Sequence, residues 1–116
     1  MVNVFVVPYT HWDREWLGTF QEYRVALVRF WYTLLGLLEQ DPGFKTFLLD
    51  GQTVLISDFL EVAPEAADRI RRLAEAGRLE IGPWFTQPDP FLSEAEALMR
   101  NLRLGILQAE AFGRPL

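Results

Sequence analysis

The chain opens with Val2-Asn3-Val4-Phe5-Val6-Val7, apolar and β-branched almost throughout, and Pro8 closes the run. An apolar stretch of this length without alternation reads as a strand buried on both faces of a parallel sheet. A buried parallel strand needs helices to cover it and further strands beside it, so the rest of the chain must supply them. It does so by alternation. Phe20, Tyr23, Leu27, Phe30, Trp31, Leu34 and Leu38 recur at helical spacing and predict a helix over 20–39, which Asp41-Pro42-Gly43 ends. Trp31 lies on that stripe and is assigned to the core.

Phe44 to Leu49 reads as a second strand, ending in the turn Asp50-Gly51-Gln52. Thr53 is placed to cap a short helix running through Leu60. Pro64 suits the first turn of another helix, with Ala66, Ala67, Ile70, Leu73 and Ala74 inward and Gly77 just past its end. Arg78 to Ile81 begins a third strand, stopped by Gly82-Pro83. Ser93-Glu94-Ala95-Glu96 has the form of a capping box. The helix it introduces carries Leu98, Leu102, Ile106, Ala109 and Phe112, then stops at Gly113 with Pro115 beyond. The expected fold class is therefore α/β: a parallel β-sheet from three βα units with right-handed crossovers. Three strands leave open edges, and closure into a barrel needs more units. The expectation is the beginning of something larger, or a subunit that covers its edges by association.

Residues 1–116 suffice for one domain, and half of them are hydrophobic. The net charge is -5, and no basic face is clustered as a nucleic-acid binder requires. Arg69, Arg71 and Arg72 are interleaved with acidic and apolar residues on a helix and read as a solvated face. No run is long and apolar enough to span a membrane, and no basic n-region marks a signal peptide. The absence of cysteine excludes disulfides and thiolate metal sites and is compatible with the cytoplasmic location expected here.

In parallel α/β folds ligands gather at the carboxyl ends of the strands. Three loops qualify: 9–18, 50–52 and 82–92. The first holds the only histidine. His11 and Asp13 stand two apart, and in an extended segment such residues point the same way. An imidazole nitrogen and a carboxylate oxygen could then meet one cation, with bonds of about 2.0–2.2 Å for zinc. Trp16 could offer a flat face to a pyranose ring. The spacing equally suits a hydrogen-bonded loop histidine, a capping Asp13 and a core Trp16. Asp50 and Gln52 either line a substrate site or form the turn for backbone reasons alone. Trp84, Gln87 and Asp89 lie in a Pro-rich loop that could form a sugar subsite, or that Trp84 could pack beneath. Asp58, Glu61 and Glu65 read as helix-end and surface charges.

Four blocks carry a resemblance across the whole chain. Thr10-His11-Trp12-Asp13-Arg14-Glu15-Trp16 is similar to the opening motif of bacterial glycoside hydrolase family 38 α-mannosidases. Phe47-Leu48-Leu49-Asp50-Gly51-Gln52 resembles that family's second-strand block. Gly77-Arg78-Leu79-Glu80-Ile81-Gly82-Pro83-Trp84-Phe85-Thr86-Gln87-Pro88-Asp89 resembles its third. Glu96 to Gly105 and Ala111-Phe112-Gly113 continue in the same style.

The resemblance implies that residues 1–116 are the N-terminal portion of a catalytic domain, the first part of a family 38-type β/α barrel. It implies zinc as cofactor, His11 and Asp13 as metal ligands, and Trp16 packed against the mannose ring. Trp16, Asp50, Gln52, Trp84, Gln87 and Asp89 are the implied substrate-binding set. The implied reaction is retaining, zinc-dependent hydrolysis of terminal α-mannosides, with the ion holding two adjacent sugar hydroxyls. The family's nucleophilic Asp, also a ligand, falls beyond the last residue here, and its second ligand His later still. No catalytic residue is placed in this chain, half of the metal ligands are missing, and the isolated chain is expected to be inactive.

Two alternatives stand beside this reading. Related bacterial enzymes act on mannosylglycerate, whose carboxylate would want a cation near the rim, and Arg14 is the only Arg or Lys in the three loops. A non-catalytic remnant or subunit of a split enzyme would instead form a homo-oligomer or dock with a chain carrying the rest of the domain. The expected ligand is a mannose-containing carbohydrate; neither nucleic acid nor a membrane is expected.

Overall fold

The protein is described by a computed structural model, over residues 1–113. Helix α1 (Phe20–Gln40) starts at Thr19, whose hydroxyl accepts from the Glu22 amide while the Glu22 carboxylate takes the Thr19 N–H at 2.7 Å. Two of the donors that a helix start leaves orphaned are thereby satisfied. Short strand β1 (Phe47–Leu48) leads through a turn into α2 (Val54–Leu60). A 3₁₀ turn at Pro64–Ala66 runs into α3 (Ala67–Glu75), and Gly77 at φ 68 reverses the chain as a left-handed cap. Strand β2 (Leu79–Glu80) and, after a long loop, α4 (Ala95–Glu110) complete the order.

β1 and β2 pair in parallel, Phe47 opposite Leu79 and Leu48 opposite Glu80. Isolated parallel bridges extend this ribbon at both sides, Tyr9 to Leu48 and Gln52 to Trp84. The first expected strand is corrected. Among the described residues, 2–7 form no ladder; the backbone links next to them are the Leu48 amide donating to the Pro8 carbonyl at 3.0 Å and the Tyr9–Leu48 bridge. Val4 is 81% and Phe5 88% exposed. A strand apolar on both faces is held by layers above and below, and nothing among the described residues covers these side chains. The chain is mixed α/β with a two-stranded parallel sheet; three complete βα units are not realised, and no barrel closes among the described residues.

Two expected caps are also corrected. Ser93 does not cap α4; Glu94 takes that position without a side-chain bond, and the Glu96 carboxylate that would have reached back is held by Arg100 Nε at 2.7 Å. Thr53 precedes α2 with helical backbone angles, so its hydroxyl makes no capping bond. Pro115, expected beyond the last helix, lies outside the described residues.

The core lies between α1, α2, α3 and the ribbon. Leu27, Trp31, Leu34, Leu35 and Leu38 of α1 meet Leu55, Ile56 and Phe59 of α2, Ile70 of α3, and Leu49, Leu79 and Ile81. Each such side chain contributes about 1.5–3 kcal/mol by leaving water. Trp31 is fully buried, stacks on Phe59 at 5.2 Å and donates its indole N–H to the Leu55 carbonyl at 3.1 Å. The ring thus buries its area without stranding its polar group. α4 is bound more lightly, with Gly105 and Ala109 as its buried residues. A Cβ on Gly105 would stand 2.2 Å from the Pro83 carbonyl oxygen and the Trp84 carbonyl carbon, so only glycine lets α4 approach the third loop this closely.

Candidate functional site

The first loop is built around Trp12, which faces inward. Its ring meets Phe30 at 5.9 Å and Tyr23 edge-on at 6.3 Å, both on α1. Its backbone is held from the second loop: the Trp12 N–H donates to Asp50 Oδ2, and its carbonyl accepts from Gln52 Nε2, each at 2.8 Å. Gln52 Nε2 also donates to Asp50 Oδ2 at 2.8 Å. Asp50 and Gln52 are both buried. Asp50 stands at φ 42 and Gly51 at φ 64, a left-handed pair that turns the chain back beneath the first loop. Aspartate is among the few residues other than glycine that enter this region readily.

With Trp12 turned in, its neighbours turn out. His11 Nε2 and Asp13 Oδ1 come within 3.7 Å, and their side chains are 67% and 47% exposed. His11 Nδ1 lies 3.7 Å from Asp50 Oδ1 on the opposite side of the ring. Two donors on one tetrahedral ion with bonds near 2.1 Å stand about 3.4 Å apart, so the His11–Asp13 pair fits zinc after a small adjustment. The donor chemistry fits as well, an imidazole nitrogen and a carboxylate oxygen. Asp50 cannot join the same ion through this geometry, because Nδ1 and Nε2 diverge across the imidazole. Among the described residues no group of three His, Asp or Glu side chains gathers for a metal. The His11–Asp13 pair thus offers two donors, fewer than a catalytic zinc site takes.

Arg14 stays on the lining of the open cleft that His11 and Asp13 also line, but its guanidinium is tied to α2. Its Nε and second nitrogen donate to the two carboxylate oxygens of Asp58 on α2 at 2.7 and 2.9 Å, and its guanidinium lies over the Phe20 ring at 5.1 Å. The hydrogen bond to Asp58 raises the Arg14 pKa above its ordinary value. Asp58 is buried, which corrects its reading as a surface charge. Glu61 is exposed and pairs with Arg24, and Glu65 accepts from Tyr32, as solvated charges do.

An open cleft of about 710 Å³ runs between the first and third loops, lined by His11, Trp12, Asp13, Gln52, Gln87 and Asp89 among others. The Gln87 amide donates to Gln52 Oε1 at 3.4 Å, tying the far wall to the second loop. That wall is positioned by α4: Asn101 Oδ1 accepts from the Thr86 amide at 2.8 Å and Asn101 Nδ2 donates to the Thr86 carbonyl at 2.6 Å. Asp89 uses Oδ1 to accept from the Phe91 amide at 3.0 Å, fixing the local turn. Trp84 is half-buried and faces a neighbouring cavity of about 600 Å³ with Tyr9, Asp50, Gly51 and Gln87. Trp16 is 72% exposed and stands outside both linings. The structure thus gathers His11, Asp13, Gln52, Gln87 and Asp89 around one cleft, keeps Asp50 beneath it, and separates Trp16 and Trp84 from it.

Of the residues that position the two walls, Asp58 was read from the sequence only as a helix-end or surface charge, and Asn101 was given no site role. Nothing local marks them; each is read only through a contact across the fold. No helix among the described residues is long and apolar enough to cross a membrane.

The sequence model of the glycosyl hydrolases family 38 N-terminal domain matches residues 1–113. A Halalkalibacterium halodurans protein described as "Putative mannosylglycerate hydrolase" is 42% identical over 109 residues, 94% of this chain and 12% of the relative. The crystal structure of an α-mannosidase from Enterococcus faecalis superposes with a TM-score of 0.91 at 38% identity, over 95% of this chain and 12% of that one. A second Enterococcus faecalis protein, in glycosyl hydrolase family 38, matches with a TM-score of 0.85 at 34% identity, over 95% and 13%. The chain spans about one eighth of the length of these relatives.

Proposed function

We propose that this chain, which belongs to glycosyl hydrolase family 38 and matches its N-terminal domain, contributes a metal half-site and one wall of a sugar cleft to the hydrolysis of terminal α-mannosides. The observation that carries this reading is the convergence of His11 Nε2 and Asp13 Oδ1 at 3.7 Å on the mouth of an open cleft. His11 and Asp13 would hold zinc from this side, and the remaining ligands would come from residues outside the described set. When bound, such an ion would supply Lewis-acid coordination to sugar hydroxyls, while His11 and Asp13 hold it at the mouth of the cleft. The chain's own residues bind and orient: Gln87 and Asp89 face the cleft, and exposed Trp16 offers its face to a ring at the rim. Trp84 serves a subsite on the neighbouring cavity.

Retaining hydrolysis uses two carboxylates about 5–5.5 Å apart, one nucleophile and one acid/base. No residue here is assigned to either role, so the chain alone is expected to bind rather than to turn over. Calorimetric titration with zinc should detect a site that disappears in the His11→Ala/Asp13→Ala double variant. Undiminished zinc stoichiometry in that variant would sink the assignment.

A second reading, hydrolysis of mannosylglycerate, is favoured by the Halalkalibacterium halodurans relative. Against it, Arg14 is committed to Asp58 and its charge is already matched. It is the only Arg or Lys of the three loops, so they offer no free cation for a substrate carboxylate. Grafted into a complete family 38 catalytic domain, these residues should support cleavage of an aryl α-mannoside in preference to mannosylglycerate. A rate on mannosylglycerate that falls on Arg14→Met while the aryl mannoside rate holds would reverse the order of the two readings.

A further inference from the structure

We propose that Asp50 and Gln52 are positioning residues: they clamp the backbone N–H and carbonyl of Trp12 and so hold His11 and Asp13 at the spacing the half-site needs. The inference deepens the metal reading above and rests on it for the ligand roles of His11 and Asp13.

The argument starts from which atoms are already in use. Asp50 Oδ2 accepts two hydrogen bonds, from the Trp12 amide and from Gln52 Nε2, and the same Nε2 donates to the Trp12 carbonyl, all at 2.8 Å. The three groups close a small ring of hydrogen bonds around the backbone N–H and carbonyl of Trp12, which belong to the two peptide units flanking its Cα. Gln52 Oε1 is engaged by the Gln87 amide. Both side chains are buried, 7% and 4% exposed, so little of either is offered to a sugar. The remaining oxygen, Asp50 Oδ1, faces His11 Nδ1 at 3.7 Å while His11 Nε2 faces Asp13. At 3.7 Å this is an ion-pair approach rather than a hydrogen bond, and it places the Asp50 carboxylate on the side of the ring from which a partner orients a ligand histidine.

The arrangement places its constraint at one point of leverage. Trp12 lies between the two donors in sequence; its N–H is in the peptide plane shared with His11 and its carbonyl in the plane shared with Asp13, so fixing both sets the direction in which each neighbour leaves the backbone. Its ring, packed on Phe30 and Tyr23, supplies the third anchor. Charge matters as well as shape. A buried carboxylate accepting two N–H bonds holds them more strongly than a neutral acceptor does.

The test uses three variants of the chain with two readouts, exchange of the Trp12 amide proton by NMR and zinc affinity by calorimetry. Asp50→Ala removes the acceptor; the Trp12 amide should exchange at least about 10-fold faster, and zinc affinity should fall about 10- to 100-fold, as for other partners behind a ligand. Asp50→Asn keeps an oxygen where Oδ2 stands and tolerates the left-handed backbone. It should hold exchange within about 3-fold of the parent while losing part of the zinc affinity, because an amide then faces His11. Gln52→Ala should lie between them. Exchange and affinity that do not change in Asp50→Ala and Gln52→Ala would overturn the clamp and return both residues to substrate contact. Faster exchange with unchanged affinity would overturn the positioning role. If the parent chain takes up no zinc, the metal reading falls by itself, and Trp12 exchange still decides whether the clamp exists.

Discussion

Removing the Arg14 side chain should destabilise this protein more than removing its partner, because the two ends of the pair sit in different environments. The Asp58 side chain is 5% exposed and that of Arg14 41%. In Arg14→Ala the buried carboxylate loses both its donors; Arg24 bonds the Asp58 carbonyl and not the carboxylate. Stranding a fully buried charge costs about 3–5 kcal/mol. Here water can enter from the Arg14 side, which lowers the expected cost to about 2–3 kcal/mol. In Asp58→Ala the guanidinium relaxes into solvent, and the loss should be about 1–1.5 kcal/mol, the net worth of charged hydrogen bonds that water partly replaces. The double variant should cost less than the sum, with a coupling of about 1–2 kcal/mol. Urea unfolding followed by tryptophan fluorescence measures all four corners of the cycle. Equal single costs, the reverse order, or a coupling below about 0.5 kcal/mol would refute the claim that a buried carboxylate tethers the first loop to α2.

Gly105→Ala should lose about 1–3 kcal/mol and lower the Tm, since its Cβ would enter the backbone of the third loop. Gly36→Ala, whose Cβ meets nothing within 4 Å on α1, should instead raise stability by about 0.5–1 kcal/mol, and thermal melts of the two variants check the contrast. Trp31→Phe removes the indole N–H that bonds the Leu55 carbonyl and thins the packing on Phe59, an expected loss of about 1–2 kcal/mol by urea unfolding. Glu39 is held below its ordinary pKa of 4.5 by its hydrogen bond to Arg69. A carboxylate with a depressed folded value stabilises the fold above its unfolded pKa, and this contribution disappears as the pH falls through the lowered value. Stability measured across that acid range should fall less steeply in Glu39→Gln than in the parent.

The helices were legible because their signals are local. The stripe from Phe20 to Leu38 falls on α1, with Leu27, Trp31, Leu34 and Leu38 buried, and Gly77 takes the positive φ its place after α3 requires. Caps were less legible, because one side chain has several partners within reach. Glu96 could have closed a box with Ser93 but bonds Arg100, whereas Thr19 and Glu22 close a box on α1 that the hydrophobic pattern did not reveal. Strands were legible only as candidates. The run at residues 2–7 has the composition of a central strand, yet a strand is defined by its neighbours, and β1 meets that segment only at Pro8 and Tyr9. Asp58 shows the same limit for charges: an acid inside a short helix reads as solvated until a guanidinium 44 positions earlier is placed against it.

The site was legible to the extent that it depends on alternation. His11 and Asp13 were paired from a spacing of two, and the structure brings their donor atoms to 3.7 Å. What the spacing did not convey is that the residue between them sets their direction. Trp12 read as part of a motif; in the fold it is the anchor, its ring on α1 and its peptide held by Asp50 and Gln52. Its inward turn obliges the two polar neighbours to turn outward, so burial of an aromatic ring is converted into presentation of a nitrogen and an oxygen at one point. The same division applies to Asp50 and Gln52, which the sequence offered either as substrate contacts or as turn formers. Polar residues at the end of a strand, near a cleft, satisfy that description equally well when their hydrogen bonds point inward to a backbone, and only the direction of those bonds separates the two roles.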